Sequence, residues 1–389
     1  MASGHVVGIA DIEAARARLG SAIYQSPCAH SMIFSKLTGL QTYFKLENLQ
    51  MTGSFKERGS LNKLLQLTEQ ERSHGVIAAS AGNHAQGVAY HATRLGMKAT
   101  IVMPETTPLI KVVCTREYGG DVVLYGDDYD AAYEEARRRA ESGGATFIHA
   151  FDDPAVIAGQ GTLGLELLEQ QPSLEAVVVP IGGGGLAAGV ACAVKARRPQ
   201  MVVVGVRAES SLADGIKVRR LGDHTKPMLD EYVDEIVTVN EEEIANAILL
   251  LLEREKTVVE GAGAASLAAV INQKTSLALG KSTALVISGG NIDVNLLARV
   301  IERGLAKDQR LVKLEVKLSD SPGALHDLIG LVAKLRGNVL EISHTRAFGG
   351  AELGQTIVCA TLETRGADHV KQIHAALQAA GYEHRRQLP

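Results

Sequence analysis

Through about residue 305, apolar runs rich in Val, Ile and Leu alternate with amphipathic stretches. Short β-branched runs bounded by Gly, Pro, Asn or Ser predict strands at Thr42–Leu46, Val76–Ala79, Ala99–Met103, Asp121–Tyr125, Thr146–Ala150, Ala176–Ile181, Met201–Val206 and Thr283–Ser288. Between them, segments such as Tyr129–Ser142 and Glu241–Arg254 carry apolar residues at helical spacing. Repeated strand, helix, strand predicts an α/β domain with an open parallel sheet covered on both faces. Ligands bind such sheets at the carboxyl ends of strands, so the residues after each strand are the first candidates for chemistry.

The pattern changes at the polar stretch Gly304–Arg310. Leu311–Leu318 alternates, with Val312, Leu314 and Val316 set between Leu311, Lys313, Glu315 and Lys317, as in a half-buried strand. A helix over Pro322–Arg336, strands over Asn338–Ala347 and Gln355–Glu363, a helix over Ala367–Ala380 and a last strand near Tyr382–Arg386 give an α+β module. The expected division is 1–309 and 310–389.

The length of 389 residues agrees with two or three domains. Hydrophobic residues at 46% and charged residues at 22% describe a folded, globular chain. A net charge of −4 argues against a nucleic-acid binder with a broad basic face. No apolar run approaches the ~20 residues of a membrane span, and the N-terminus does not read as a secretory signal. The four cysteines (Cys28, Cys114, Cys192, Cys359) are scattered without a C-x-x-C pair, which predicts a reduced, cytoplasmic protein without zinc or disulfides.

Several constellations carry candidate chemistry. In Ser54-Phe55-Lys56-Glu57-Arg58-Gly59, Ser54 and Glu57 read as a capping box, placing Lys56 in the first turn of a helix. The helix dipole disfavours an ammonium there, and a depressed amine suits Schiff-base chemistry; an ordinary cap and a solvated lysine are the plainer alternative. Ser80-Ala81-Gly82-Asn83-His84 follows a strand, in a turn whose backbone N–H groups can take a carboxylate. Gly182-Gly183-Gly184-Gly185 lets the backbone close around an anion such as phosphate. Gly182, Gly184 and Ala187, with Glu209 after the next strand, also satisfy a dinucleotide fingerprint, so a nicotinamide-dependent dehydrogenase stays open. Gly280-Lys281-Ser282 fails as a P-loop, because Thr275 stands where a glycine is needed. Ser288-Gly289-Gly290-Asn291 ends a strand, and Glu260-Gly261-Ala262-Gly263 opens a helix. His84 and His91 have no third ligand at metal spacing, and Cys192 reads as core.

Taken jointly and in this order, the motifs resemble the fold-type II pyridoxal-phosphate enzymes (tryptophan synthase beta-like) and, within them, the threonine dehydratase (L-threonine ammonia-lyase) family. The phrase Pro154-Ala155-Val156-Ile157-Ala158-Gly159-Gln160-Gly161-Thr162 belongs to the same likeness. The resemblance implies two lobes of open parallel sheet, the smaller (roughly 50–150) inserted in the larger, and pyridoxal 5'-phosphate as cofactor. Lys56 would bind it covalently and shuttle the Cα proton, with Ser80 and Ser288 as further catalytic groups. Phe55 would lie against its ring, Asn83 would bond the ring hydroxyl, and Ser288 would face the pyridine nitrogen. Gly182, Gly183, Gly184, Gly185 and Leu186 would hold the phosphate, with Glu260 a secondary polar group. Ser80, Ala81, Gly82, Asn83 and His84 would receive the carboxylate of an amino-acid substrate. The implied reaction converts L-threonine to 2-oxobutanoate and ammonia, and more weakly L-serine to pyruvate. Serine racemases of this family carry a second serine where Ala81 stands, so racemisation is not expected. They also bind a cation through a Glu and an Asp in the stretch matching Glu209–Gly215; Gly215 replaces the Asp, and no metal is predicted. The last segment resembles an ACT domain (βαββαβ) through Asp320-Ser321-Pro322-Gly323-Ala324-Leu325. Ser321 reads as N-cap and Pro322 as N1. Ser321, Pro322, Gly323, Ala324 and Leu325 would bind an effector such as isoleucine or valine, and the family implies a homo-oligomer, dimer or tetramer. For the last segment the alternative is a tail serving oligomerisation alone; for the whole chain the alternatives are the nicotinamide-dependent dehydrogenase, a serine racemase/dehydratase of the same family, and a non-enzymatic amino-acid sensor with a degenerate front domain.

Overall fold

A computed structural model describes residues 6–209, 212, 213, 216, 220–345 and 352–387. The chain divides into two compact units, residues 1–292 and 293–389.

The first unit holds two sheets. One contains β1 (Cys28–His30), β2 (Gln41–Leu46), β7 (Ala176–Pro180), β8 (Val202–Ala208), β9 (Glu235–Val239) and β10 (Ser282–Ile287), in the order β1-β2-β10-β7-β8-β9. All neighbours are parallel except β1, which runs antiparallel to β2. The other contains β3 (Val76–Ala79), β4 (Ala99–Met103), β5 (Asp121–Leu124) and β6 (Thr146–Phe147), all parallel, in the order β5-β4-β3-β6. β7 is buried throughout, so its unbroken Ala-Val-Val-Val-Pro run suits a strand covered on both faces. Val177, Val179, Val203 and Val286 pack in one core with Leu163, Leu167, Val190 and Val194 from the helices Pro154–Gln170 and Gly185–Arg197.

The four strands β9-β8-β7-β10 have the order 3-2-1-4, so the direction of winding switches between β7 and β10. Such a switch opens a crevice at the carboxyl ends of its two strands. The tetraglycine follows β7 and Ser288 follows β10.

Two strands escaped the sequence reading. β1 is only three residues long, and β9 is an edge strand with exposed positions and a glutamate at its start. The expected strand Thr146–Ala150 pairs only at Thr146 and Phe147. Beyond it the chain leaves the sheet, because the His149 ring draws back the backbone N–H groups of Phe151 and Asp152.

The second unit has β11 (Leu311–Ser319), β12 (Asn338–Thr345), β13 (Gln355–Glu363) and β14 (His384–Gln387) in an antiparallel sheet of order β12-β13-β11-β14. With the helices Ala324–Lys334 and Ala367–Ala379 it forms the expected βαββαβ order. Val312, Leu314, Val316 and Leu318 face a core shared with Leu328, Val332, Ile373 and Leu377. Arg346 and Ala347, the expected end of the second strand, lie outside the described residues. The helix Val294–Lys307 groups with this unit, so the division falls earlier than the change of pattern at 309/310. Ser321 is not the N-cap. That position is Gly323, with φ 94°, and the Ser321 carbonyl accepts from Ala324 N–H (3.3 Å).

Candidate active site

Lys56 sits on a turn stitched to the end of β10. Ser54 bridges Gly289, and Phe55 N–H donates to the Ser288 carbonyl at 3.1 Å. The helix Lys56–Leu65 therefore starts from Phe55, with no side-chain cap. The expected capping box is absent: the Glu57 carboxylate accepts from Thr52 N–H instead. The Ser54 hydroxyl is buried without a hydrogen-bond partner among the described residues. Two residues after Lys56, the buried Arg58 anchors the helix, donating to Glu47 at 2.7 and 2.8 Å and to Glu166 at 2.6 and 2.8 Å.

The Lys56 Nζ donates to the Ala150 carbonyl at 2.7 Å and lies 5.1 Å from the centroid of the Phe55 ring. Burial pushes its pKa down from 10.5 to about 8, against the Glu260 carboxylate, which favours the charged form. An amine depressed by burial is available as a nucleophile and base at a pH where an ordinary lysine is protonated.

Ser80, Ala81 and Gly82 follow β3, and the helix Asn83–Arg94 begins with Gly82 as N-cap. The Ser80 hydroxyl accepts from Gly82 N–H at 3.2 Å. The Asn83 amide is fixed from both sides. Its Nδ2 donates to Glu260 at 2.7 Å, and its Oδ1 accepts from Asn291 Nδ2 at 2.8 Å. A carboxamide has two N–H donors, so one stays available after the Glu260 bond. The other Asn291 N–H donates to the Thr52 carbonyl (2.7 Å), with Gln86 Oε1 a longer contact at 3.2 Å, tying the lysine turn to the asparagine turn. His84 is buried; Nε2 contacts the Ile148 carbonyl at 2.9 Å, and Nδ1 has no partner among the described residues. Burial, and then the nearby Lys56, push its pKa down to about 3, so it stays neutral.

Gly182 to Gly185 lead from β7 into the helix Gly185–Arg197. Gly184 is its N-cap at φ 101°, in the left-handed region that glycine adopts without strain. A Cβ at Gly183 would stand 2.3 Å from the Phe151 ring, and one at Gly185 would stand 2.7 Å from the Phe151 carbonyl oxygen. Thr225 Oγ donates to the Gly183 carbonyl at 2.6 Å. Leu186 is buried in the core. Ser288 is 2% exposed, and Glu260 N–H donates to the Gly289 carbonyl at 3.1 Å.

Contacts thus connect Phe55, Lys56, Asn83, Glu260 and Ser288. Ser321 to Leu325 belong to the second unit. Gly215 lies outside the described residues, and among those described no group of three or more His, Cys, Asp or Glu could hold a metal. Sequence reasoning gave no role to His149, Ala150, Phe151, Asp152, Thr225 or Asn291. The strand drawn through Ala150 hid a loop at a strand's carboxyl end, and Asn291 was read only as part of a turn.

The donor set fits pyridoxal phosphate: a depressed, half-buried lysine amine, a glycine turn at a helix N-terminus for a phosphate, and an asparagine with a spare N–H. Residues 19–289 match the family described as "Pyridoxal-phosphate dependent enzyme". Across 97% of its length the chain is 48% identical to an L-threonine ammonia-lyase of Thermotoga maritima, covering 99% of that protein. The solved processed form of threonine deaminase isoform 2 from Solanum lycopersicum is 36% identical with TM-score 0.71, over 76% of this chain and 86% of that one. Maize serine racemase is 31% identical with TM-score 0.72, over 76% and 99%. The family match spans both Lys56 and the tetraglycine, so the dinucleotide reading of those glycines gives way. The chain belongs to the pyridoxal-phosphate-dependent enzyme family.

Proposed function

We propose that the chain is an L-threonine ammonia-lyase, acting more weakly on L-serine. The observation that carries this is the Lys56 amine, pushed down to about 8 and bonded to the Ala150 carbonyl rather than to a carboxylate. Likeness to L-threonine ammonia-lyase across almost the full length supports the choice of substrate.

Pyridoxal phosphate, when bound, supplies an aldehyde for amino groups and a ring that withdraws electrons from Cα. Lys56 holds it covalently and, as a free amine, accepts the Cα proton at Nζ. The N–H groups of Gly182, Gly183, Gly184, Gly185 and Leu186 serve the phosphate. Asn83 gives its spare N–H to the ring hydroxyl, with Glu260 and Asn291 holding the amide. Phe55 lies against the ring. Ser288 would offer the pyridine nitrogen a neutral hydroxyl rather than a charged partner. Ser80, Ala81, Gly82, Asn83 and His84 receive the substrate carboxylate at a helix N-terminus, where backbone N–H groups favour an anion. The Cα–H and Cβ–O bonds of threonine break, the hydroxyl leaves as water with a proton that in net is the one lost from Cα, and hydrolysis of the resulting enamine gives 2-oxobutanoate and ammonia. Ala81 has no proton to deliver, which separates this site from a racemase.

Residues 310–389 are assigned an ACT role, supported by the βαββαβ order. The turn Ser321 to Leu325 takes an aliphatic amino acid, isoleucine or valine, that lowers activity. The assembly is a cytoplasmic homo-oligomer, a dimer or tetramer. Turnover of L-threonine and L-serine, with and without isoleucine, tests this reading. Faster 2-oxobutanoate than pyruvate release, reduced by isoleucine, is expected. Inversion of serine without release of ammonia would contradict it.

A further inference from the structure

The His149 ring lies just past β6, edge-on to Phe151 (centroids 4.7 Å apart, planes at 83°), with Tyr133 at 6.0 Å and Phe147 at 6.2 Å. Its Nδ1 accepts two backbone N–H groups, from Phe151 at 3.2 Å and Asp152 at 2.8 Å. Backbone amides only donate, so Nδ1 carries no proton and the imidazole is the neutral Nε2–H form. Burial pushes its pKa down, aided by Lys56 and Arg137 and opposed by Asp152 and Asp153, which keeps Nδ1 an acceptor at neutral pH.

The loop gathered by this ring touches both the lysine and the glycine turn. The Ala150 carbonyl holds the Lys56 amine at 2.7 Å. Phe151 closes on Gly183 and Gly185. The Asp152 carboxylate accepts from the backbone N–H groups of Asp223 (2.9 Å), His224 (2.9 Å) and Thr225 (3.3 Å). Thr225 in turn donates to Gly183.

We propose that His149 is a positioning residue: through Nδ1 it fixes the 149–152 loop, and the loop fixes the lysine amine relative to the glycine turn. This rests on the proposed function only for what the loop serves, since its geometry exists without the cofactor. The test compares His149→Ala with His149→Asn, whose Oδ1 can stand where Nδ1 stands.

Amide hydrogen exchange on the cofactor-free chain should be about tenfold faster at Phe151 and Asp152 in His149→Ala, the loss expected from two neutral hydrogen bonds of modest net worth. Exchange at Val177 and Val286 should be unchanged. His149→Asn should keep the protection. The dissociation constant of pyridoxal phosphate, read by absorbance, should rise about tenfold in the alanine variant and return toward wild type in the asparagine variant. If His149→Ala does not fold, His149→Asn decides alone: protected amides support the role, and lost protection overturns it. Wild-type exchange in a folded His149→Ala, or an asparagine variant as impaired as alanine, also overturns it. The exchange readout stands whether or not Lys56 takes the cofactor, so the two claims fail separately.

Discussion

At the scale of residues, an amine adds to an aldehyde only when neutral. Burial lowers the Lys56 pKa from 10.5 to about 8, so the neutral form dominates above about pH 8 rather than only above 10.5. Covalent capture of pyridoxal phosphate by the cofactor-free chain should therefore quicken with rising pH with a midpoint near 8. A midpoint near 10.5 would mean an ordinary, solvated lysine. The motif around Lys56 was legible in the sequence, but the cause of its depression was not. The helix dipole is the only local reason for a depressed amine, whereas the dominant cause is burial in the folded site. Asn83 was likewise visible in its turn, whereas the groups that orient its amide lie 177 and 208 residues further along.

At the scale of elements, the glycine turn is defined by what it cannot accommodate. A Cβ at Gly185 meets the Phe151 carbonyl oxygen at 2.7 Å, a backbone atom that moves only with the 149–152 loop. Gly185→Ala should cost about 1–3 kcal/mol in denaturant unfolding and weaken cofactor binding at least about tenfold. By contrast, a Cβ at Gly330 in the helix Ala324–Lys334 meets nothing within 4 Å, and Gly330→Ala should leave cofactor binding unchanged. A wild-type cofactor affinity in Gly185→Ala would contradict the cradle. Long apolar strands such as β7 and β10 were legible because burial on both faces leaves a continuous hydrophobic run. The capping box at Ser54 was misread because a tertiary bridge to Gly289 outweighs a local pattern.

At the scale of the molecule, the change from strand–helix repetition to an alternating strand at Leu311 marked a second unit, but not its start. The helix Val294–Lys307 carries no break in composition that would separate it from the strands before it; only its packing assigns it. The dinucleotide ambiguity has a similar origin. The order 3-2-1-4 around β7 places a glycine turn at a switch point, as dinucleotide folds also do, so the turn alone does not name its ligand. What distinguishes the ligand is a lysine contributed by a different strand–helix turn, Lys56, proposed to bond covalently to pyridoxal phosphate. Borohydride reduction of the loaded protein, followed by peptide mass mapping, tests it directly. One pyridoxyl label per chain is expected, on Lys56, and none in Lys56→Ala; a label on another lysine, or no label in a protein that binds the cofactor, would contradict that bond.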